Sequence, residues 1–287
     1  MSALLTAESI SKIYGSGKDT FTAVGDVSFS VREEEFVSVV GPSGCGKTTL
    51  LKCLAGILSP TTGRALLNGE PITGPPDALA VVFQDYSNSL FPWLSVEKNV
   101  YLPISRKREI QSKRAAVDEA LAAVGLADFG SKYPWQLSGG MQQRVAIARA
   151  LAYQPKVLLM DEPFASVDAQ TRGELEDLVL RVKDRYGITV VLVTHDIDEA
   201  VYMADTVVVL TGRPSTVREV VAVDLPYPRD QITTKELGAF GHLRAAVYRT
   251  VVPTRTSPGE QDQHDHDHDH DQDQDCEVAP AKSWNRT

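Results

Sequence analysis

Apolar and polar positions alternate over residues 4–14 and 21–31, the period of half-buried β-strands. Phe36–Val40 is instead a continuous apolar run, which predicts a strand buried on both faces, and a helix over residues 47–56 follows it after a glycine-rich turn. Residues 79–83 predict another short strand. Between about Ser95 and Gly125 the apolar positions recur at helical spacing. From there strands at 157–160, Thr189–Thr194 and Thr206–Leu210 alternate with helices at 139–153, Ala169–Tyr186 and Ile197–Met203. This alternation predicts an α/β fold with a parallel sheet covered by helices. Beyond Leu210 the chain turns to connections rich in proline (Pro214, Pro226, Pro228) and a short helix near residues 235–250.

Composition leaves room for a substantial core, with 43% hydrophobic and 23% charged residues in 287. The formal charge of -9 is concentrated: nine acids between Glu260 and Glu277, with no Lys or Arg among them, account for all of it. The rest is near neutral, which argues against a nucleic-acid surface. Cys45, Cys53 and Cys276 form no metal or disulfide pattern, and an odd number of thiols fits a reducing compartment. The first residues lack the basic-then-apolar layout of a secretory signal. Apolar runs fall short of the roughly 18–20 residues a membrane span needs, so service to a membrane is expected through another subunit.

Three motifs carry the chemistry. Gly41-Pro42-Ser43-Gly44-Cys45-Gly46-Lys47-Thr48, followed by Thr49, fits a phosphate-binding P-loop between a strand and a helix. Its glycines allow tight turns and close backbone approach to phosphate, Lys47 supplies a point charge, and Thr48 offers a hydroxyl to Mg²⁺. Ser138-Gly139-Gly140 opens a second helix, whose free amides and positive end suit an anion. The apolar strand ending in Asp161-Glu162 places paired acids where parallel sheets bind ligands.

Together, in that order, these motifs resemble the ATP-binding-cassette (ABC) ATPases over nearly the whole chain up to about Val252. The resemblance implies a P-loop NTPase with a RecA-like core, an antiparallel β subdomain, a helical subdomain at about 85–150 and a short extension at about 211–252. It implies ATP as substrate and Mg²⁺ as cofactor, with Asp161, Thr48 and Gln84 at the metal and Glu162 as general base. Gln84, in Val82-Phe83-Gln84-Asp85, matches the family's Q-loop glutamine, and His195, in Thr194-His195-Asp196, its switch histidine. Ser138, Gly139 and Gly140 are implied to bind the γ-phosphate held by the opposite subunit. Asp168, in Ala165-Ser166-Val167-Asp168, is implied to pack across the same interface; Val167 stands where leucine is more usual. Tyr14 is the aromatic implied to stack on adenine. One set of motifs per chain implies a dimer of cassettes, and the 91 positions from Lys47 to Ser138 exclude the coiled-coil insertion of DNA-repair relatives.

Within the family, residues 85–96 and 224–230 resemble the nitrate/sulfonate/taurine importer class. That implies a cytosolic-face subunit working with membrane permeases and, indirectly, a periplasmic or lipid-anchored substrate-binding protein. Phe91, Pro92 and Trp93 either line a groove for the permease or pack the helical subdomain. His264, His266, His268 and His270 alternate with aspartates in a tail expected to be disordered. The alternation admits a transition-metal buffer as well as a plain solvated tail. It is the one feature that favours a metal-ion importer; a thiamine-precursor importer and a soluble, non-transport cassette are rival readings of the same motifs. His242, outside any motif, is expected on the surface.

Overall fold

The computed structural model describes residues 3–15, 19–85 and 89–252. The expectations for residues 253–287, the His/Asp run among them, and for residues 86–88 lie outside that set. Two sheets organise the described chain. The first is antiparallel, in the order β2-β1-β4-β5, built from β1 (Ala3–Tyr14), β2 (Phe21–Arg32), β4 (Thr62–Leu67) and β5 (Glu70–Pro71). The second runs β10-β9-β3-β8-β7-β6. Its parallel members are β3 (Phe36–Val40), β6 (Leu79–Val82), β7 (Val157–Asp161), β8 (Thr189–Thr194) and β9 (Thr206–Leu210); β10 (Val217–Ala222) pairs antiparallel at one edge.

The parallel strands are predominantly apolar because both faces are covered. Side chains alternate between faces, so Phe36, Leu158, Met160, Val190 and Leu192 enter one hydrophobic cluster with the helices α2 (Val96–Tyr101), α3 (Lys113–Ala123), α4 (Gly139–Ala152), α5 (Ala169–Tyr186) and α6 (Ile197–Met203). Val37, Val39, Leu159, Val191 and Val193 enter the other, with Leu50, Leu51 and Leu54 of α1 (Lys47–Leu54) and with Leu5, Ile10 and Val24 of the antiparallel sheet. Helix starts follow local chemistry. Ser95, Ser112, Ser138, Asp168 and Asp196 each accept a hydrogen bond from an amide in the first turn of the helix they precede.

Some elements depart from the pattern-based expectation. α1 stops at Leu54, because Gly56 turns left-handed at φ +68°. The helix expected near 235–250 is two, α7 (Thr233–Glu236) and α8 (Gly238–Val251), separated by Leu237 in an extended conformation. The hairpin β4–β5 and the edge strand β10 are additions that the periodicity does not signal.

Register decides where the chemistry goes. Val40 is level with Thr194, Val193 with Asp161, and Met160 with Val82. The carboxyl ends of β3, β8, β7 and β6 therefore lie side by side, the position at which open parallel sheets bind ligands.

Candidate functional site

The glycine-rich loop leaves β3 and enters α1 at Gly46, whose φ of +106° and position leave no room for a side chain: an added Cβ would lie 2.4 Å from the Ala23 carbonyl oxygen. Gly44 also sits at positive φ, +72°. Lys47 is almost wholly buried, its Nζ donating to the carbonyls of Gly41 at 2.8 Å and Pro42 at 3.2 Å. Pro42, Thr48 and Thr49 are half-buried, while Ser43 and Gly44 are exposed. Burial pushes the Cys45 thiol up, so it stays protonated and serves as packing.

Thr48 Oγ1 donates to Asp161 Oδ1 at 3.0 Å, joining the start of α1 to the end of β7. Burial pushes the Asp161 carboxyl up, and the Thr48 bond partly offsets this. A hydroxyl and a buried carboxylate in contact form the hard oxygen donor set that suits Mg²⁺. The next residue, Glu162, holds a left-handed φ of +44°, fixed by its amide donating to Val193 O at 2.8 Å. Such strain in a non-glycine residue persists only where the surroundings impose it, and it clusters at functional sites. Glu162 Oε2 receives His195 Nδ1 at 3.0 Å and Gln84 Nε2 at 3.4 Å. A carboxylate oxygen accepts here, so the contact is a hydrogen bond in the His195 tautomer that carries a proton on Nδ1. Four neighbouring strand ends thus deliver the loop, Asp161 with Glu162, His195 and Gln84 to one place.

Tyr14 stacks on Phe21 with ring centroids 6.1 Å apart. Phe21 in turn lies 4.8 Å under the Arg213 guanidinium, whose Nε donates to the Gly44 carbonyl. Arg213 and Phe21 are partners of the loop that no local motif signals. Ser138, Gly139 and Gly140 are separate from this constellation. They open α4 at a solvent-facing position, Ser138 accepting from Met141 N at 3.3 Å. Asp168 likewise caps α5, accepting from Thr171 N at 3.0 Å and Thr171 Oγ1 at 2.7 Å. Among the described residues no hydrogen bond links Ser138, Gly139, Gly140 or Asp168 to the loop, Asp161, Glu162 or His195. His242 is exposed.

Behind His195, Glu199 is buried, accepts from Thr194 Oγ1 at 3.0 Å, and has no partner for Oε1 among the described residues. Burial first, then Glu176, pushes its carboxyl up from 4.5 to about 8, with Asp196 adding and Thr194 and Arg172 opposing. The folded state therefore holds a proton that the unfolded chain releases, and stability from this group falls as pH rises between about 4.5 and about 8. Glu199→Gln keeps the shape without the titration. The expected result is that the wild type loses stability relative to this variant across that window, and a difference in denaturant midpoints independent of pH would contradict it.

Comparison with known proteins fits this arrangement. The ABC transporter family matches residues 24–165. An uncharacterized ABC transporter ATP-binding protein of Methanocaldococcus jannaschii is 46% identical over 83% of this chain and 88% of its own length. A bicarbonate transport ATP-binding protein of Synechocystis sp. is 43% identical over 84% of this chain and 86% of its own. A nitrate import ATP-binding protein of Synechococcus elongatus is 41% identical over 85% of this chain, matching 38% of that longer protein. The dimeric structure of a bacterial ABC transporter cassette superposes with a TM-score of 0.68, at 33% identity, covering 76% of this chain and 98% of that one. This chain belongs to the ABC transporter ATP-binding proteins and is an ATP-hydrolysing cassette.

Proposed function

We propose that this chain is the ATPase subunit of an importer for a small anion such as nitrate, bicarbonate, a sulfonate or taurine. The observation that carries the catalytic part is the Glu162 carboxylate, strained at its backbone and bonded to both His195 and Gln84. Residues 41–49 cradle the phosphates, with Lys47 swinging from the Gly41 and Pro42 carbonyls to phosphate oxygens. Thr48, Asp161 and Gln84 would hold Mg²⁺, which would supply charge neutralisation on the phosphates. Glu162 takes a proton from the attacking water, and His195 orients it while contacting the γ-phosphate. Tyr14 offers its ring to adenine.

The solvent-facing amides behind Ser138, Gly139 and Gly140 complete the site of a second copy, and Asp168 packs at the same face. The similarity to a dimeric cassette supports this composite arrangement. ATP closes the dimer and hydrolysis reopens it.

Work is drawn from that cycle by a membrane permease seated beside Gln84, which puts the chain on the cytoplasmic membrane face, with a substrate-binding protein acting indirectly. No helix among the described residues is long and apolar enough to cross a membrane. The docking face is prepared by Asn99, which is fully buried and fastens the preceding loop through Phe91 N, Phe91 O, Leu94 O and Ser95 O. That loop holds Trp93 71% exposed, 5.5 Å from the Phe91 ring, and a second exposed aromatic pair, Tyr133 and Trp135, belongs to the same subdomain. The transport reading is tested by purifying the tagged chain from native membranes. A polytopic permease is expected to co-purify, and Trp93→Ala should cut its recovery roughly tenfold or more, as truncating an interface anchor does. Recovery of ribosomes or nucleic acid without a membrane protein would overturn it.

A further inference from the structure

Helix α5 grips two separate parts of the site, the amino end of α4 and the segment after His195, within its first two turns. Thr171 lies so close to Gly140 that an added Cβ there would meet its Cγ2 at 2.4 Å, and Glu174 pairs with Arg144 of α4 at 3.0 Å. One face of α5 therefore holds the amino end of α4. An adjacent face carries Arg172 and Glu176, four residues apart and so one above the other. Arg172 Nη1 donates to Asp196 Oδ2 at 3.0 Å, and Glu176 Oε2 accepts from Gln231 Nε2 at 2.9 Å. Asp168 caps the same helix.

Asp196 is the residue after His195. Its Oδ1 accepts from the amides of Asp198 and Glu199, and its own amide donates to Thr194 Oγ1, which in turn donates to Glu199. His195 is thus carried on backbone fastened at both neighbours. The Arg172 bond is the side-chain fastening that reaches it from the helix capped by Asp168.

Two observations set this pair apart from an ordinary surface ion pair. Its side chains are 34% and 30% exposed, a setting in which ion pairs add little stability, yet Arg172 Nε is buried and has no partner among the described residues. In addition, Arg172 lines one small cavity, about 40 Å³, together with Glu162, His195 and Glu199. It stands directly behind the residues that would handle the attacking water.

We propose that Arg172 is a positioning residue: its bond to Asp196 sets His195 against Glu162 and ties that setting to the helix whose cap, Asp168, lies at the dimer face. The idea rests on the roles proposed above for His195 and Asp168. Loss of the bond should slow turnover without weakening ATP binding, because neither partner belongs to the phosphate loop.

The test measures kcat, KM and a fluorescent-ATP Kd on the full chain for Arg172→Met, Arg172→Lys, Asp196→Asn and the double variant Arg172→Met/Asp196→Asn. Asp196→Asn retains a good helix cap while removing the charge. Displacing a catalytic group by a fraction of an ångström to an ångström lowers rates roughly 10-fold to 100-fold, and that loss in kcat is expected for Arg172→Met and Asp196→Asn. Kd should stay within about twofold, Arg172→Lys should recover part of the rate, and the double variant should be no slower than the slower single one. Arg114→Met, which breaks exposed pairs with Glu97 and Asp118, controls for generic loss of ion pairing. His195→Ala separates the two layers of the argument. If it abolishes turnover while Arg172→Met and Arg172→Lys keep wild-type kcat, the positioning role is overturned and the role of His195 stands. If His195→Ala itself turns over normally, both are overturned. Should Arg172→Met fail to fold, Arg172→Lys and Asp196→Asn carry the same comparison.

Discussion

Glu162→Gln should lower kcat for ATP hydrolysis by roughly 10³-fold, within the range attributed to a positioned general base, while leaving ATP affinity nearly unchanged. The prediction follows from what the carboxylate touches. Its Oε2 accepts from His195 and Gln84, and its backbone holds φ at +44°. Glutamine preserves shape and can still accept through its carbonyl, but it cannot take a proton from water. The effect should therefore fall on kcat and spare KM, which phosphate-release kinetics would separate. A variant with kcat within tenfold of the wild type would assign the base elsewhere.

Lys47→Ala should act at the other step, weakening ATP binding by roughly 10²-fold or more, since it deletes a charge-assisted contact to phosphate in a partly desolvated loop. In this structure the buried ammonium is held by two loop carbonyls, at 2.8 and 3.2 Å. Those bonds keep it in place without neutralising it, so the charge remains available to an anion. Fluorescent-ATP titration checks the expectation. Near wild-type affinity would mean that the backbone amides of residues 41–48 do the binding alone. The two variants should diverge: one binds without turning over, the other scarcely binds.

Most of this site is legible in the sequence because phosphate chemistry demands residue types at fixed local spacing. Gly46 illustrates this: its φ of +106° and the 2.4 Å approach to Ala23 exclude any side chain. Continuous apolar runs mark the buried strands β3, β7, β8 and β9 nearly residue for residue. What escapes depends on distant partners. β10 is half-exposed at a sheet edge, so its apolar positions show no strict alternation, and β5 is only two residues long. The break at Leu237 falls beside Gly238, a poor helix former that marks the interruption only weakly, since Gly241 lies within the helix that follows. The strain at Glu162 arises from a bond to Val193 on the neighbouring strand, and Arg213 reaches Gly44 across 169 positions. Arg172 looks like any exposed helical arginine until Asp196 is placed beside it. Substrate choice leaves little trace: no residue of the phosphate loop, Asp161, Glu162 or His195 distinguishes one transported anion from another.

The composite active site is the centre of this account, and sedimentation equilibrium of Glu162→Gln with ATP and Mg²⁺ tests it most directly. The predicted result is conversion from a species near 31.3 kDa to one of roughly twice that mass when ATP is added. Ser138→Arg, which fills the face offered to the second copy's phosphate, should prevent that conversion while leaving fluorescent-ATP binding intact. A Glu162→Gln chain that saturates with ATP yet stays monomeric, or a dimer indifferent to Ser138→Arg, would contradict the claim that each copy completes the other's site.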